Sequence, residues 1–210
     1  MENYSKLVAL WERNLLEEQL DRYSLERSMT EIIFFGSRSA GVSGVHSDLD
    51  VLCIGKTRTK RKTSKLDLIC INSEECLSSE WLGSELGFHV AKYGVWLKGE
   101  PWWVKSAFAS SEAVRRKRRR IGKLTENVVD SWARLHPVFR ERFSTTLRRE
   151  LQRLDFLLKN VPVPPTPILD RDWTAGVFNC DTLVESAQLR SGAHKLLGLV
   201  TMAQSALLPM

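Results

Sequence analysis

Three aspartates carry the chemistry this sequence has to offer. Asp48 and Asp50 form an Asp-Leu-Asp step at the opening of the apolar run Asp48-Leu-Asp-Val-Leu-Cys-Ile54. Side chains two positions apart on a strand share a face. The two carboxylates therefore project together, and they repel unless a cation lies between them. Asp67 sits inside Lys65-Leu-Asp-Leu-Ile-Cys-Ile71, a second strand-like run in which an unpaired buried charge is costly. Placed beside Asp50 across an antiparallel strand pair, it completes a cluster of three carboxylates, a set of hard oxygen ligands that suits Mg2+ or Mn2+. An Asp-x-Asp step alone is weak, because aspartates are common at strand ends. Its weight comes from the ensemble: Gly36-Ser37 closing one strand, ten residues, Asp48-Leu-Asp50 opening the next, and the lone Asp67 in a third.

The elements that must hold these residues can be read from the apolar pattern. Glu31-Ile-Ile-Phe-Phe35 is a strand stopped by the turn Gly36-Ser37. Arg38 to Ser47 is a polar, glycine-containing loop, and 55–64, GKTRTKRKTS, is a charged, hairpin-like connection between two strands buried on both faces. Residues 4–22 predict an amphipathic helix through Leu7, Leu10, Trp11 and Leu15. A helical pattern returns over 73–97 on Leu82, Leu86, Val90 and Leu97, and Gly99-Glu-Pro101 ends it. Further helices are predicted over 104–135, 138–159 and 180–207. The second of these carries a stripe of Phe139, Phe143, Leu147, Leu151, Leu154 and Leu158. Val161 to Pro167 holds too many prolines for a helix and reads as a stiff connector. The expected plan is an α/β (α+β) core over 1–103, a small mixed or antiparallel sheet flanked by helices, followed by a helical region over 104–210.

The stretch Gly36-Ser-Arg-Ser-Ala-Gly41 followed by Ser47-Asp-Leu-Asp50 resembles the signature of the DNA polymerase beta nucleotidyltransferase superfamily, and in its details the minimal nucleotidyltransferases. The segment Val90-Ala-Lys-Tyr-Gly-Val-Trp-Leu-Lys-Gly99 is similar to the stretch after the third carboxylate in those proteins. The resemblance covers about residues 20–100 and departs from many relatives in the loop Val42 to His46, which lacks charged side chains. It implies transfer of a nucleoside monophosphate from a nucleoside triphosphate, ATP first, to a hydroxyl acceptor. Gly36 would allow close approach to phosphate. Ser37, Arg38 and Ser47 would help bind the triphosphate, and Asp48, Asp50 and Asp67 would hold the metals and be catalytic. RNA or a partner protein ranks first as acceptor, and a small molecule such as an aminoglycoside second. A toxin–antitoxin or defence setting is implied by analogy alone. The rival reading from another class is a non-catalytic antitoxin or nucleic-acid adaptor on the same fold, which loss of a carboxylate would have favoured.

Composition narrows the partners. The chain has 210 residues, 43% hydrophobic and 27% charged, which is ordinary for a globular protein. No apolar run approaches the roughly 18 residues that span a bilayer, and the N-terminal stretch has no signal-peptide pattern. The four cysteines (Cys53, Cys70, Cys76, Cys180) show no metal-finger spacing, so buried free thiols and a cytoplasmic location are expected. Residues 115–123, RRKRRRIGK, hold seven of the 31 basic residues; elsewhere 24 basic residues face 25 acidic ones. Arg115 to Arg120 is too dense for one solvated helix face, and a phosphate backbone would relieve its self-repulsion. A solvated segment without a specific role, or a nuclear-localisation signal, fits the same letters. Trp102 and Trp103 could stack on a base, with interdomain packing the preferred reading. His46 is expected to be a loop residue and not a ligand, and His89 and His136, on helical segments, to be structural.

Overall fold

The structure, a computed structural model, describes residues 29–171 apart from 46, 57, 58, 64 and 130. The helices expected over 4–22 and 180–207, His46 and Cys180 lie outside the described residues. The chain divides into two compact units, Met1–Leu82 with Val90–Ser106 and Gly83–His89 with Ala107–Met210.

The first unit is built on a mixed sheet of five strands: β1 (Met29–Phe35), β2 (Leu49–Gly55), β3 (Thr59–Lys62), β4 (Leu66–Asn72) and β5 (Val95–Lys98), in the order β3-β4-β2-β1-β5. The inner strands β1, β2 and β4 are dense in Ile, Leu, Val and Phe because both faces are covered. One face packs Ile32, Phe34, Leu49, Val51, Cys53, Leu66, Leu68 and Cys70 into a core. By alternation, Asp50 and Asp67 belong to the other face.

Three sequence expectations are corrected here. First, β2 and β4 run parallel, with Asp50 directly beside Asp67, and not antiparallel. The link 55–64 is long enough to hold its own strand, β3, which pairs antiparallel with the outer edge of β4 and lets β4 return in the direction of β2. Second, 73–97 is not one helix but three, Ser73–Leu77, Ser79–Leu82 and Glu85–Tyr93, followed by strand β5. Asn72 caps the first, its side chain accepting from the Glu75 N–H at 2.6 Å. Ser78, in extended conformation, ends that helix and accepts from the Trp81 N–H at 3.1 Å. Gly94 ends the third, and a Cβ there would lie 2.6 Å from the Val90 carbonyl and 2.8 Å from Ile33 Cγ2, so only glycine admits this approach to β1. Val95 to Lys98 then extends along β1 as an edge strand. Third, Trp103 is 1% exposed and packs on Trp81 and Trp96 within its own unit, at ring-centroid distances of 5.9 and 6.1 Å. Trp96 and Trp102 donate their indole N–H groups to Glu31, a buried carboxylate.

The second unit is helical. Its long helices are Ser111–Val129 and Pro137–Leu158, shorter than the expected 104–135 and close to the expected 138–159. His136 caps the latter through its ring nitrogen and Pro137 opens it, the position where a missing N–H costs nothing. Of the predicted stripe, Leu147, Leu151 and Leu154 are buried, while Phe139 and Leu158 are exposed. The proline stretch is free of helix and strand only over 161–165. Thr166 and Pro167 begin a helix, Thr166–Arg171, because proline is tolerated in a first turn. Val163 is buried there with Leu157 and Leu169, and its carbonyl accepts from the His89 ring at 2.7 Å.

Candidate active site

The site forms where three strands end or begin side by side. Phe35, the last residue of β1, pairs with Asp50, and Asp50 pairs with Asp67. Asp48 immediately precedes β2. The structure thus brings together the three predicted carboxylates: each offers an oxygen, and these oxygens lie within 4.8 Å of one another. All three residues are half-buried.

Gly36 makes this arrangement possible. The backbone turns there at φ +82°, and a Cβ would stand 2.1 Å from Asp50 Oδ2. Any other residue would be strained and would push the Asp50 carboxylate aside. The single helical turn Gly36–Ser39 follows, with Ser39 Oγ donating to the Gly36 carbonyl at 3.0 Å and the Tyr93 carbonyl at 3.2 Å. Ser37 is half-buried on this turn. Arg38 turns to the loop: its Nε and Nη2 donate to the Ser47 carbonyl at 3.0 and 2.7 Å. Ser47 Oγ in turn accepts from the Gly44 N–H at 3.0 Å. Arg38 and Ser47, predicted as triphosphate contacts, are joined to each other in the loop that leads to Asp48.

A cation would relieve the electrostatics of the cluster. Burial, and then the charges of Asp48 and Asp67, push the Asp50 carboxyl up to about 7, with Lys62 pulling the other way. Asp67 Oδ1 is buried without a hydrogen-bond partner, a position that a bound ion would explain. Three hard oxygen donors, strong mutual repulsion and an orphaned carboxylate oxygen fit a divalent metal.

Sequence reasoning missed one member of the site. Lys62, the last residue of β3, pairs with Asp67. Its Nζ donates to Asp67 Oδ2 at 2.6 Å and to Asp48 Oδ2 at 3.4 Å. The hydrogen bond to Asp67 raises the lysine's pKa above its ordinary value. The available signal was the basic run 55–64 leading into the strand that carries Asp67; treating that run as a plain connection hid it.

The three cysteines among the described residues are free and buried. Cys53 and Cys70 lie side by side on β2 and β4, free and buried, and the hydrogen bond between them, together with burial, holds the Cys53 thiol far above its usual range. Cys76 is also free and is pushed up to about 12, chiefly by burial.

The basic run is sorted by its helix. Lys117 is 6% exposed and bonds Glu85 and Glu150 at 2.7 and 2.9 Å. Burial alone would raise the Glu150 carboxyl, but Lys117, Arg153 and Arg120 outweigh it and hold the group below its usual range. Arg115 and Arg116 pair with Glu112. Arg118, Arg119, Arg120 and Lys123 are exposed.

A mixed sheet with flanking helices, with Gly-Ser closing one strand and paired aspartates opening its neighbour, is the architecture of a nucleotidyltransferase. The sequence profile described as "Nucleotidyltransferase domain" matches residues 13–152, and the chain belongs to that family. Comparison with curated proteins gave no match. Among solved structures, the chain is similar to a nucleotidyltransferase-like protein from Exiguobacterium sibiricum 255-15 at 13% identity. That alignment covers 89% of this chain and 72% of the other, with a TM-score of 0.42. No helix among the described residues is long and apolar enough to cross a membrane.

Proposed function

We propose that the protein transfers a nucleoside monophosphate from a nucleoside triphosphate, ATP first, to a hydroxyl of RNA, with Asp48, Asp50 and Asp67 as catalytic metal ligands. The observation that carries this reading is the convergence of the three carboxylates, with Asp50 seated against Gly36 and beside Asp67. Asp48, Asp50 and Asp67 would hold Mg2+ or Mn2+, which would supply charge stabilisation for the attacking and leaving oxygens. Gly36 and Ser37 hold the β- and γ-phosphates at the turn. Arg38 and Ser47 act one step back, fixing the loop so that Asp48 faces Asp50. Asp67 orients the acceptor hydroxyl. Its oxygen forms the new bond to the α-phosphorus as the bond to the β-phosphate oxygen breaks; pyrophosphate leaves, and the hydroxyl proton passes to solvent.

Arg118 and Arg119 of the helix Ser111–Val129 favour RNA over a small acceptor, because they are exposed and form no ion pair among the described residues. A partner protein's hydroxyl is the next acceptor in rank, then an aminoglycoside. The buried free thiols agree with a cytoplasmic setting, and the toxin–antitoxin context implied by the resemblance belongs to the same reading. The test is incubation with each α-labelled triphosphate, Mg2+ or Mn2+, and a panel of total RNA, candidate proteins and aminoglycosides. Label on RNA is the expected result. Label on an aminoglycoside alone would overturn the acceptor, and no label on any member would overturn the reaction.

A further inference from the structure

We propose that Lys62 is a built-in counter-cation that occupies the carboxylate cluster when metal is absent and must leave Asp67 when metal binds. The inference rests on the metal-site reading given above and extends it to a residue outside the ligand set. Two oxygens of the cluster, Asp67 Oδ2 and Asp48 Oδ2, converge on one ammonium, at 2.6 and 3.4 Å. Bridging two carboxylates is what a cation in the metal's place does. The Asp side chains are 16% and 31% exposed, whereas the lysine side chain is 62% exposed. The cluster is therefore fixed in the sheet, and the lysine reaches it from outside on a flexible stem. No other hydrogen bond or ion pair holds the ammonium among the described residues.

Place in the fold supports the same role. β3 is an edge strand of the sheet, and Lys62 is its last residue, so the side chain can swing away without disturbing a covered strand. Three carboxylates without a counter-charge would repel one another in the folded protein; one lysine relieves part of this repulsion. It does so through pairs whose lysine end is largely exposed, which are weak enough to yield to a divalent ion. The site can thus stay assembled without metal and open to it when it arrives. Lys62 and metal compete for the same carboxylates, so removing the ammonium strengthens metal binding while weakening the metal-free fold.

The test is a Mn2+ titration of the full chain, followed by the paramagnetic signal of free Mn2+, for wild type, Lys62→Met, Lys62→Arg and Asp67→Asn. Chemical unfolding in EDTA runs in parallel. Loss of the competing pair should tighten Mn2+ binding about fivefold in Lys62→Met, the size of one displaced exposed ion pair. Lys62→Arg should stay near wild type, and Lys62→Met should be less stable than wild type in EDTA but not in Mn2+. Equal or weaker Mn2+ binding by Lys62→Met, with wild-type binding that depends on Asp67, would overturn the proposal for Lys62 and leave the metal site standing. Absence of binding in wild type and Lys62→Met alike would overturn both.

Discussion

Replacing Asp50 by asparagine should make the metal-free protein more stable, and by an amount that depends on pH. Asp50 titrates at about 7 in the folded chain against 3.8 for a free side chain, because burial and the charges of Asp48 and Asp67 oppose its ionisation. The folded state therefore holds a proton that the unfolded state has lost. Between pH 3.8 and about 7 the stability of the wild type falls as pH rises, and above that range it levels off. At about 1.4 kcal/mol per pH unit, the full effect is on the order of 4 kcal/mol, and about 2 to 4 kcal/mol is expected after relaxation of the half-buried group. Asparagine keeps the shape of the neutral acid and cannot ionise. Asp50→Asn should match wild type near pH 4 and exceed it by that amount near pH 8. Urea unfolding in EDTA across this range measures the difference as a shift in midpoint at constant slope. Mg2+ should then stabilise wild type more than the variant, narrowing the gap. A variant no more stable than wild type at pH 8 would refute the reasoning, because Asp50 would then be a satisfied structural group and not a carboxylate awaiting a cation.

Other perturbations test separate links. Gly36→Ala should cost about 1 to 3 kcal/mol through its left-handed backbone, and it should also abolish Mn2+ binding, because the new Cβ displaces Asp50; unfolding and Mn2+ titration check the two effects. Lys117→Met should destabilise the protein by about 3 kcal/mol, since Glu150 loses its buried partner while Arg153 and Arg120 remain, and adding Glu150→Leu should recover part of the loss. Changing Arg118, Arg119 and Lys123 to glutamine should weaken RNA binding at every sequence. Each lost phosphate contact should lower the slope of log affinity against log salt by about 0.7 to 0.9. An unchanged slope would move the small-molecule acceptor to the front.

The local features of the site were legible in the sequence, and the pairings were not. Asp48, Asp50 and Asp67 stand out because each interrupts or opens an apolar run, and Gly36 because it ends one. The parallel pairing of β2 with β4 is non-local: nothing in either strand's alternation specifies direction, and the strand in 55–64 that permits it was hidden by its charge. Leu82, Leu86, Val90 and Leu97 mimic a helical stripe across what are in fact short helices and an edge strand, although Gly94 followed by Val95 and Trp96 signalled the break. Lys117 could have been picked out of its run. It lies four residues from Ala113 and four from Ile121, both buried, on the inward stripe of its helix.

The central claim is that the three aspartates drive transfer of the α-phosphoryl group. Its most direct test tracks two labels in one reaction, ATP labelled at the α or the γ position, with Mg2+ and the RNA acceptor, for wild type, Asp48→Asn and Asp67→Asn. The account predicts α label on the acceptor and γ label in pyrophosphate for wild type, and loss of both products in the two variants although they remain folded. Transfer of the γ label to the acceptor, or undiminished α transfer by either variant, would contradict it.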